Sequence, residues 1–342
     1  MKKAESVPAP DPRQARITQA FEHNRPLNVC AFDHSGKCLY AAGEENPIQR
    51  WDLETGKKTT LHGHASWVRG FTFLPSGKEF ITSAYDGRLA WWSGEPDSTS
   101  PDFAIDAHTG WVRSIALSPR GQTLASCGND GAVRLWSTAE RKLIRELGQH
   151  ESHVYSVAFH PGGEFLASAD HKGIVKQWDL ANGKLVRELD ASPLYTWHKG
   201  YRAAAGGVRK MDFSRDGRWL VGCGLTDATD TFGQVVHPAV VVIDWESGER
   251  TRLLRSSGDE LGVGWGVTFH PSMEFVCAVC GGRNGRHLYF WTTDEEKPFH
   301  TFQLPSAARD LALHPDGLRF GVALFDGTVR VIDVTPARER RF

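Results

Sequence analysis

HTGWVRSIALSPRGQTLASCGNDGAVRLW, residues 108–136, carries the pattern on which the fold turns. Two runs that suit β-strands, WVRSIAL at 111–117 and TLASCG at 123–128, flank the turn-like SPRG, and AVRLW at 132–136 follows NDG. The core of the first run recurs seven times: NVCAF at 28, RGFTF at 69, RSIAL at 113, YSVAF at 155, RKMDF at 209, WGVTF at 265 and RDLAL at 309. Each copy leads into a turn such as DHSG, LPSG or HPDG and then into a second apolar run. Start-to-start spacings are 41, 44, 42, 54, 56 and 44 residues, the length of one four-stranded antiparallel blade. One blade cannot bury both of its faces, so neighbours must pack face to face in a ring. The chain is therefore predicted to be all-β, a seven-bladed β-propeller of four-stranded antiparallel blades.

Composition agrees. Hydrophobic residues make up 40% of 342 positions, with 12 Trp and 18 Phe for the core and 35 Gly and 17 Pro for turns. No long stretch repeats apolar residues at helical spacing, and no apolar run approaches the length needed to span a bilayer. The N-terminus has two Lys but no apolar segment behind them, so a soluble, cytoplasmic protein is expected. A net charge of -1 argues against a polyanion-binding surface over the whole molecule while leaving room for a local basic patch. The six Cys sit mostly among strand-like apolar residues. CAVC at 277–280 has C-x-x-C spacing, but residues three apart in a strand point to opposite faces. With no second Cys or His pair at zinc spacing, no metal and no cofactor is expected.

The units run from about residue 14 to 335, with a flexible segment at 1–13 and a charged tail at 336–342. The last unit stops at TVRVIDV, 328–334, without an outer strand, and QARITQAF at 14–21 can supply it. The N-terminal strand should then close the ring against the last blade.

The chain resembles the WD-repeat (tryptophan-aspartate repeat) family, with WD at Trp51-Asp52 and Trp178-Asp179. His108, Ser126, Asp130 and Trp136 match that family's buried tetrad, and His64, Thr82, Asp86 and Trp92 repeat it at identical separations of 18, 4 and 6. The resemblance implies a structural hydrogen-bonded chain: the His N–H and the hydroxyl fill the Asp acceptors, and the indole N–H completes it. The first unit keeps His23 and Trp51 but has Ala41 and Glu45; the fourth keeps His150, Ser168 and Trp178 but has Lys172 in the Asp column. The fifth and sixth lack the His, and the seventh has Asp326 but Ile332 for Trp.

The first strand of each unit breaks its own alternation. Val112, Ile115 and Leu117 are apolar, a gap of three followed by two, which predicts a β-bulge near 113 and 114. The bulge should turn Arg113 towards the mouth of the central channel, beside Trp111. In the resembling family these two columns lie on the top face, where partners dock. Here the column after the Val reads Asn28, Arg69, Arg113, Tyr155, Arg209, Trp265, Arg309, and the column before it Pro26, Trp67, Trp111, His153, Gly207, Val263, Ala307. Arg, Trp and Tyr are the types enriched at binding hot spots, and four Arg around one mouth favour an acidic or phosphorylated peptide unless Glu44 or Glu45 neutralises them. Two insertions, at 191–207 and 225–240, should rise beside the same ring. No P-loop, G-x-S-x-G or H-E-x-x-H is present, so the expected function is a non-catalytic protein-interaction scaffold, often as a subunit of a larger complex. The alternatives are an enzyme or metal site in the channel using Asp212, Asp310 and Lys210, and, ranked last, a nucleic-acid surface that stacks bases on the aromatic ring.

Overall fold

The computed structural model describes residues 9–200, 202–229, 235–256, 260–282 and 285–336. Of the expected flexible segment 1–13 and charged tail 336–342, residues 1–8 and 337–342 lie outside the described residues, as do residues 201 and 230–234 of the insertions.

Seven four-stranded antiparallel sheets follow one another around a ring. Blade three is typical: Val112–Leu117 innermost, then Thr123–Gly128, Ala132–Ser137 and, outermost, Lys142–Gln149. The seventh blade takes its outer strand from the other end of the chain. Arg16–Glu22 pairs antiparallel with Thr328–Asp333, and Asp11 N–H donates to the Val334 carbonyl at 2.8 Å. The ring thus closes as expected, leaving no unpaired edge on the third strand of that blade.

The core is not one mass: among the described residues, seven of its clusters lie one at each interface between neighbouring blades. Val112, Ile115, Leu117, Leu124 and Trp136 of blade three meet Ile81, Leu89 and Trp91 of blade two. On its other face Ala125, Cys127 and Val133 meet Val154, Val157 and Trp178 of blade four. That both Val112 and Ile115 face blade two confirms the predicted parity shift, and the strand pairing does slip between Val112 and Ser114. The same slip occurs at Leu27/Val29, Val68/Gly70, Val154/Ser156, Gly264/Gly266 and Ala308/Asp310. Cys277 packs between blades six and seven and Cys280 between blades five and six, so the two do lie on opposite faces.

Candidate functional site: the ring at the channel mouth

The bulge decides what stands at the mouth. In blades two, three and seven it places the residue after the Val column on the rim, so Arg69, Arg113 and Arg309, with Arg209, Asn28 and Trp265, line one opening of about 110 Å³. Aromatic rings separate the guanidinium groups. Arg113 lies 5.5 Å from the centre of Tyr85, 4.7 Å from Trp111 and 4.4 Å from Tyr155. Arg209 sits between Tyr155 at 4.7 Å and Trp265 at 5.1 Å, and Arg309 between Trp265 at 5.1 Å and Phe325 at 5.0 Å. Arg69 completes the series over Tyr85 at 5.8 Å. Stacking on a ring face spreads the guanidinium charge without neutralising it.

Neutralisation by carboxylates, the bland alternative for these Arg, is not what the structure shows. Glu45 pairs with Arg25 at 3.3 Å and with His23 at 3.6 Å instead. Among the described residues none of the four ring Arg forms an ion pair; Arg113 donates to Asn129 Oδ1 at 2.7 Å and Arg69 to the Asn28 carbonyl at 3.3 Å. Burial, followed by repulsion from Arg113 and Arg69, lowers Arg209 from its ordinary value while Tyr155 opposes. Burial and Arg69 do the same to Arg309, with Glu44 opposing. Guanidinium stays charged through such shifts, so the mouth holds concentrated positive charge that meets no ion-paired carboxylate among the described residues.

A third column, invisible in the first two, completes the rim. Tyr85, Asn129, His171 and Phe325 each lie 18 residues after the pre-Val position, just past the second strand. Each donates its backbone N–H to that position's carbonyl, at 2.9 to 3.0 Å. The constant separation was available in the sequence; what it lacked was the knowledge that this turn folds up to the rim. Tyr85 is the keystone: Trp111 stacks on it at 4.0 Å and 10°, and Trp67 at 6.1 Å and 24°. Trp67 and Trp111 stay 38% and 42% exposed, so these rings are a surface rather than a core. His153 is held by its Nδ1 at 2.7 Å from the Asn129 carbonyl oxygen.

Deeper in the channel, Lys210 Nζ reaches across to Asp310 Oδ1 at 2.7 Å and to the Leu311 carbonyl at 2.8 Å. Burial would lower the Lys210 pKa, but Asp310 outweighs it and the net shift is upward. Asp310 Oδ2 accepts the Cys30 N–H at 3.1 Å, joining blades five, seven and one. Asp212 is turned elsewhere, taking the Thr268 hydroxyl at 2.6 Å and the Phe269 N–H at 3.0 Å. The residues named for channel chemistry therefore bridge blades: Lys210 ion-pairs with Asp310 of blade seven, and Asp212 accepts from Thr268 and Phe269 of blade six. No group of three or more His, Cys, Asp or Glu suited to a metal is found among the described residues.

The tetrads differ from expectation in two respects. In blade three Asp130 Oδ1 lies 2.9 Å from His108 Nδ1, Ser126 Oγ 2.7 Å from His108 Nε2, and the Trp136 indole donates to Ser126 Oγ at 2.8 Å. His64, Asp86, Thr82 and Trp92 repeat this at 2.9, 2.7 and 2.8 Å. The hydroxyl thus bridges His and Trp and does not touch the Asp, because the imidazole stands between them; Asp130 takes Arg134 at 2.7 Å instead. The second correction concerns blade four, whose tetrad is complete. Asp170 Oδ2 lies 3.1 Å from His150 Nδ1, so Lys172 leaves no gap. Asp170 occupies the strand position of Gly128 in blade three, where a Cβ would stand only 3.0 Å from His108 Nδ1. A carboxylate can reach the same nitrogen from there.

The insertions do flank the ring. The first forms a hairpin, Tyr195–His198 with Ala203–Gly206, and the second lengthens two strands of blade five to Trp219–Thr226 and His237–Asp244. Leu225, Ala228 and Val236 form a small core between them, against Ala205 and Val263.

Three consecutive segments, residues 56–93, 100–137 and 141–179, match the WD domain, G-beta repeat family. These three repeats lie within the ring of seven four-stranded blades, a β-propeller. It is similar to the mitotic checkpoint protein bub-3 of Caenorhabditis elegans, 31% identical over 72 residues that make up 21% of each chain. It is also similar to DDB1- and CUL4-associated factor 10 of Xenopus laevis, 35% identical over 51 residues, 14% of this chain and 11% of the relative. Apoptotic protease-activating factor 1 of Homo sapiens is 28% identical over 71 residues, 20% of this chain and 6% of the relative. The matched stretch spans about a fifth or less of each relative. Among the described residues no helix is long and apolar enough to cross a membrane.

Proposed function

We propose that this protein is a non-catalytic interaction platform that docks a protein, through an acidic or phosphorylated segment, on the top face around the central channel. The observation that carries the reading is the rim itself: four Arg, none ion-paired among the described residues, interleaved with Tyr85, Tyr155, Trp265 and Phe325. Arg and aromatic side chains concentrate binding energy, and uncompensated charge in a narrow mouth attracts carboxylate or phosphate groups. Trp67, Arg69, Trp111, Arg113, His153, Tyr155, Arg209, Trp265 and Arg309 are the contact residues in this reading; the tetrads only hold their blades. One relative is named for its association with DDB1 and CUL4, which fits a subunit role in a larger assembly.

The test is affinity capture from the native host with the wild type and with an Arg69→Glu, Arg113→Glu, Arg309→Glu variant. A partner retained by the first, lost by the second and released by salt supports the reading, provided the melting temperatures match. Equal capture by both proteins would remove the top face from consideration.

A further inference from the structure

The top face is filled on one side and hollow on the other. Where blades two and three carry Trp67 and Trp111, blades five, six and seven carry Gly207, Val263 and Ala307. The hollow is a groove of about 650 Å³, within the roughly 300–1,000 Å³ of ordinary ligand sites. Arg209, Trp265 and Arg309 line both it and the channel mouth, so the two are continuous. Its floor is set by close backbone approach and cannot be filled by small changes: a Cβ on Gly281 would stand 2.0 Å from the Ala308 carbonyl oxygen. Its outer wall is the hairpin of the first insertion, braced by the small core under it.

We propose, on the basis of the docking reading above, that this groove takes one large apolar side chain of an extended peptide whose flanking carboxylates rest on Arg209 and Arg309. The chemistry of the walls selects this occupant. Alanine and glycine floor the groove, Trp265 and Phe325 offer ring faces, and the inner wall is cationic without a partner carboxylate among the described residues. A ligand that matches both features pairs an aromatic or Leu-like side chain with acidic neighbours. A purely acidic segment leaves the hollow wet, and a purely apolar one leaves two guanidinium groups facing it unpaired. A stacked nucleobase with its phosphate is less well matched, since the net charge of the chain is -1.

The experiment pans a phage-displayed random peptide library on the intact protein, then measures the selected peptides, labelled with fluorescein, by anisotropy. The expected sequences carry Trp, Phe, Leu or Met within two residues of Asp or Glu. Replacing their acids with Asn and Gln, or the apolar residue with Gly, weakens binding at least tenfold. Ala307→Trp plugs the groove with the side chain that this fold already accommodates at Trp67 and Trp111, and should weaken binding at least tenfold with an unchanged melting temperature. Ala204→Phe, on the opposite wall, gives a second plug should the first perturb the blade. Failure to select any peptide, selected peptides lacking either feature, undiminished binding to both plugged variants, or displacement by a single-stranded oligothymidylate overturns the proposal. If the plugged variants still bind but the Arg69, Arg113, Arg309 charge reversal does not, the groove is refuted and the docking face survives. If all of these variants bind, both readings fall.

Discussion

Blades two to four and blades five to seven share a topology and differ in how they are fastened. In the first group a buried polar chain from carboxylate to imidazole to hydroxyl to indole links each blade to the connection that enters it. In blade five the corresponding positions are Gly222 and Ile243, and the blade is held by apolar clusters such as Met211, Leu220, Val241 and Ile243 against Ala158, Ala167 and Val175, with the Lys210–Asp310 and Asp212–Thr268 contacts reaching blades seven and six in place of a tetrad. The difference continues to the surface. Over the tetrad blades the top face is paved by Trp67, Tyr85 and Trp111; over the apolar blades it is open and flanked by both insertions. A blade fastened by a specific polar chain needs its entering loop short and fixed, because the His sits on that loop. A blade fastened by apolar packing leaves the loop free to lengthen, and the loop before blade five is the one that lengthened.

The largest expected effect breaks the fastened half. Trp92 is fully buried, stacks on Phe80 at 5.7 Å and 7°, and donates to Thr82. Trp92→Ala should cost about 3–5 kcal/mol, read from the urea midpoint at constant slope. A loss below about 1 kcal/mol would mean that the tetrad Trp does not anchor its blade. Next comes blade four. Asp170→Gly removes the carboxylate that serves His150 and the N–H groups of Lys172 and Ile174, at a cost of about 1–3 kcal/mol. Adding Lys172→Asp recreates the arrangement of Asp130 in blade three and should recover at least half of that loss. No recovery would show that the two Asp positions are not interchangeable.

The position of Asp170 also shows where reading the sequence stopped. Seven units, four strands each, the closing strand and the bulge follow from periodicity, because a two-residue alternation and its single slip are written in the order of apolar residues. The ring Arg were found for the same reason: the slip fixes their direction. Contacts that depend on a side chain reaching through space left no such trace. Asp170 serves His150 from a position two residues away from the tetrad column. Tyr85 and Phe325 belong to the rim through a turn whose direction no local pattern announces. Whether Arg309 met Glu44 or Phe325 was a question of distance, and the sequence contains none.

Acid should separate the tetrad blades from blade five. Burial alone would raise the Asp86, Asp130 and Asp170 carboxyls, but the imidazole partners and, for Asp130, Arg134 hold all three below the ordinary value of 3.8. A depressed carboxyl stabilises the fold above its unfolded pKa, and that contribution fades as the pH falls through about 3.8 towards the folded value. Asp212 in blade five is shifted the other way, chiefly by burial, so its contribution is present in acid and is lost as the pH rises through its folded pKa. Between pH 5 and 3, amide exchange corrected for its intrinsic rate should lose protection first in 64–92, 108–136 and 150–178, ahead of 210–243. A uniform loss would erase the distinction between the tetrad blades and blade five.

The smallest expected effect is at the surface. Trp111→Ala gives up one stacked pair on Tyr85 and should cost about 0.5–1.5 kcal/mol. Ala307→Trp, the reciprocal change in the open half, should stay within about 0.5 kcal/mol of the wild type, since its backbone is held like that of Trp111 by an N–H from the third column, here Phe325 at 2.9 Å. If Trp is tolerated at 307, the hollow is not required by folding and its small residues call for another explanation, which occupancy by a ligand supplies. If Ala307→Trp instead destabilises the protein by as much as Trp111→Ala, the open half is hollow because its backbone leaves no alternative, and the contrast between the halves is one of packing alone.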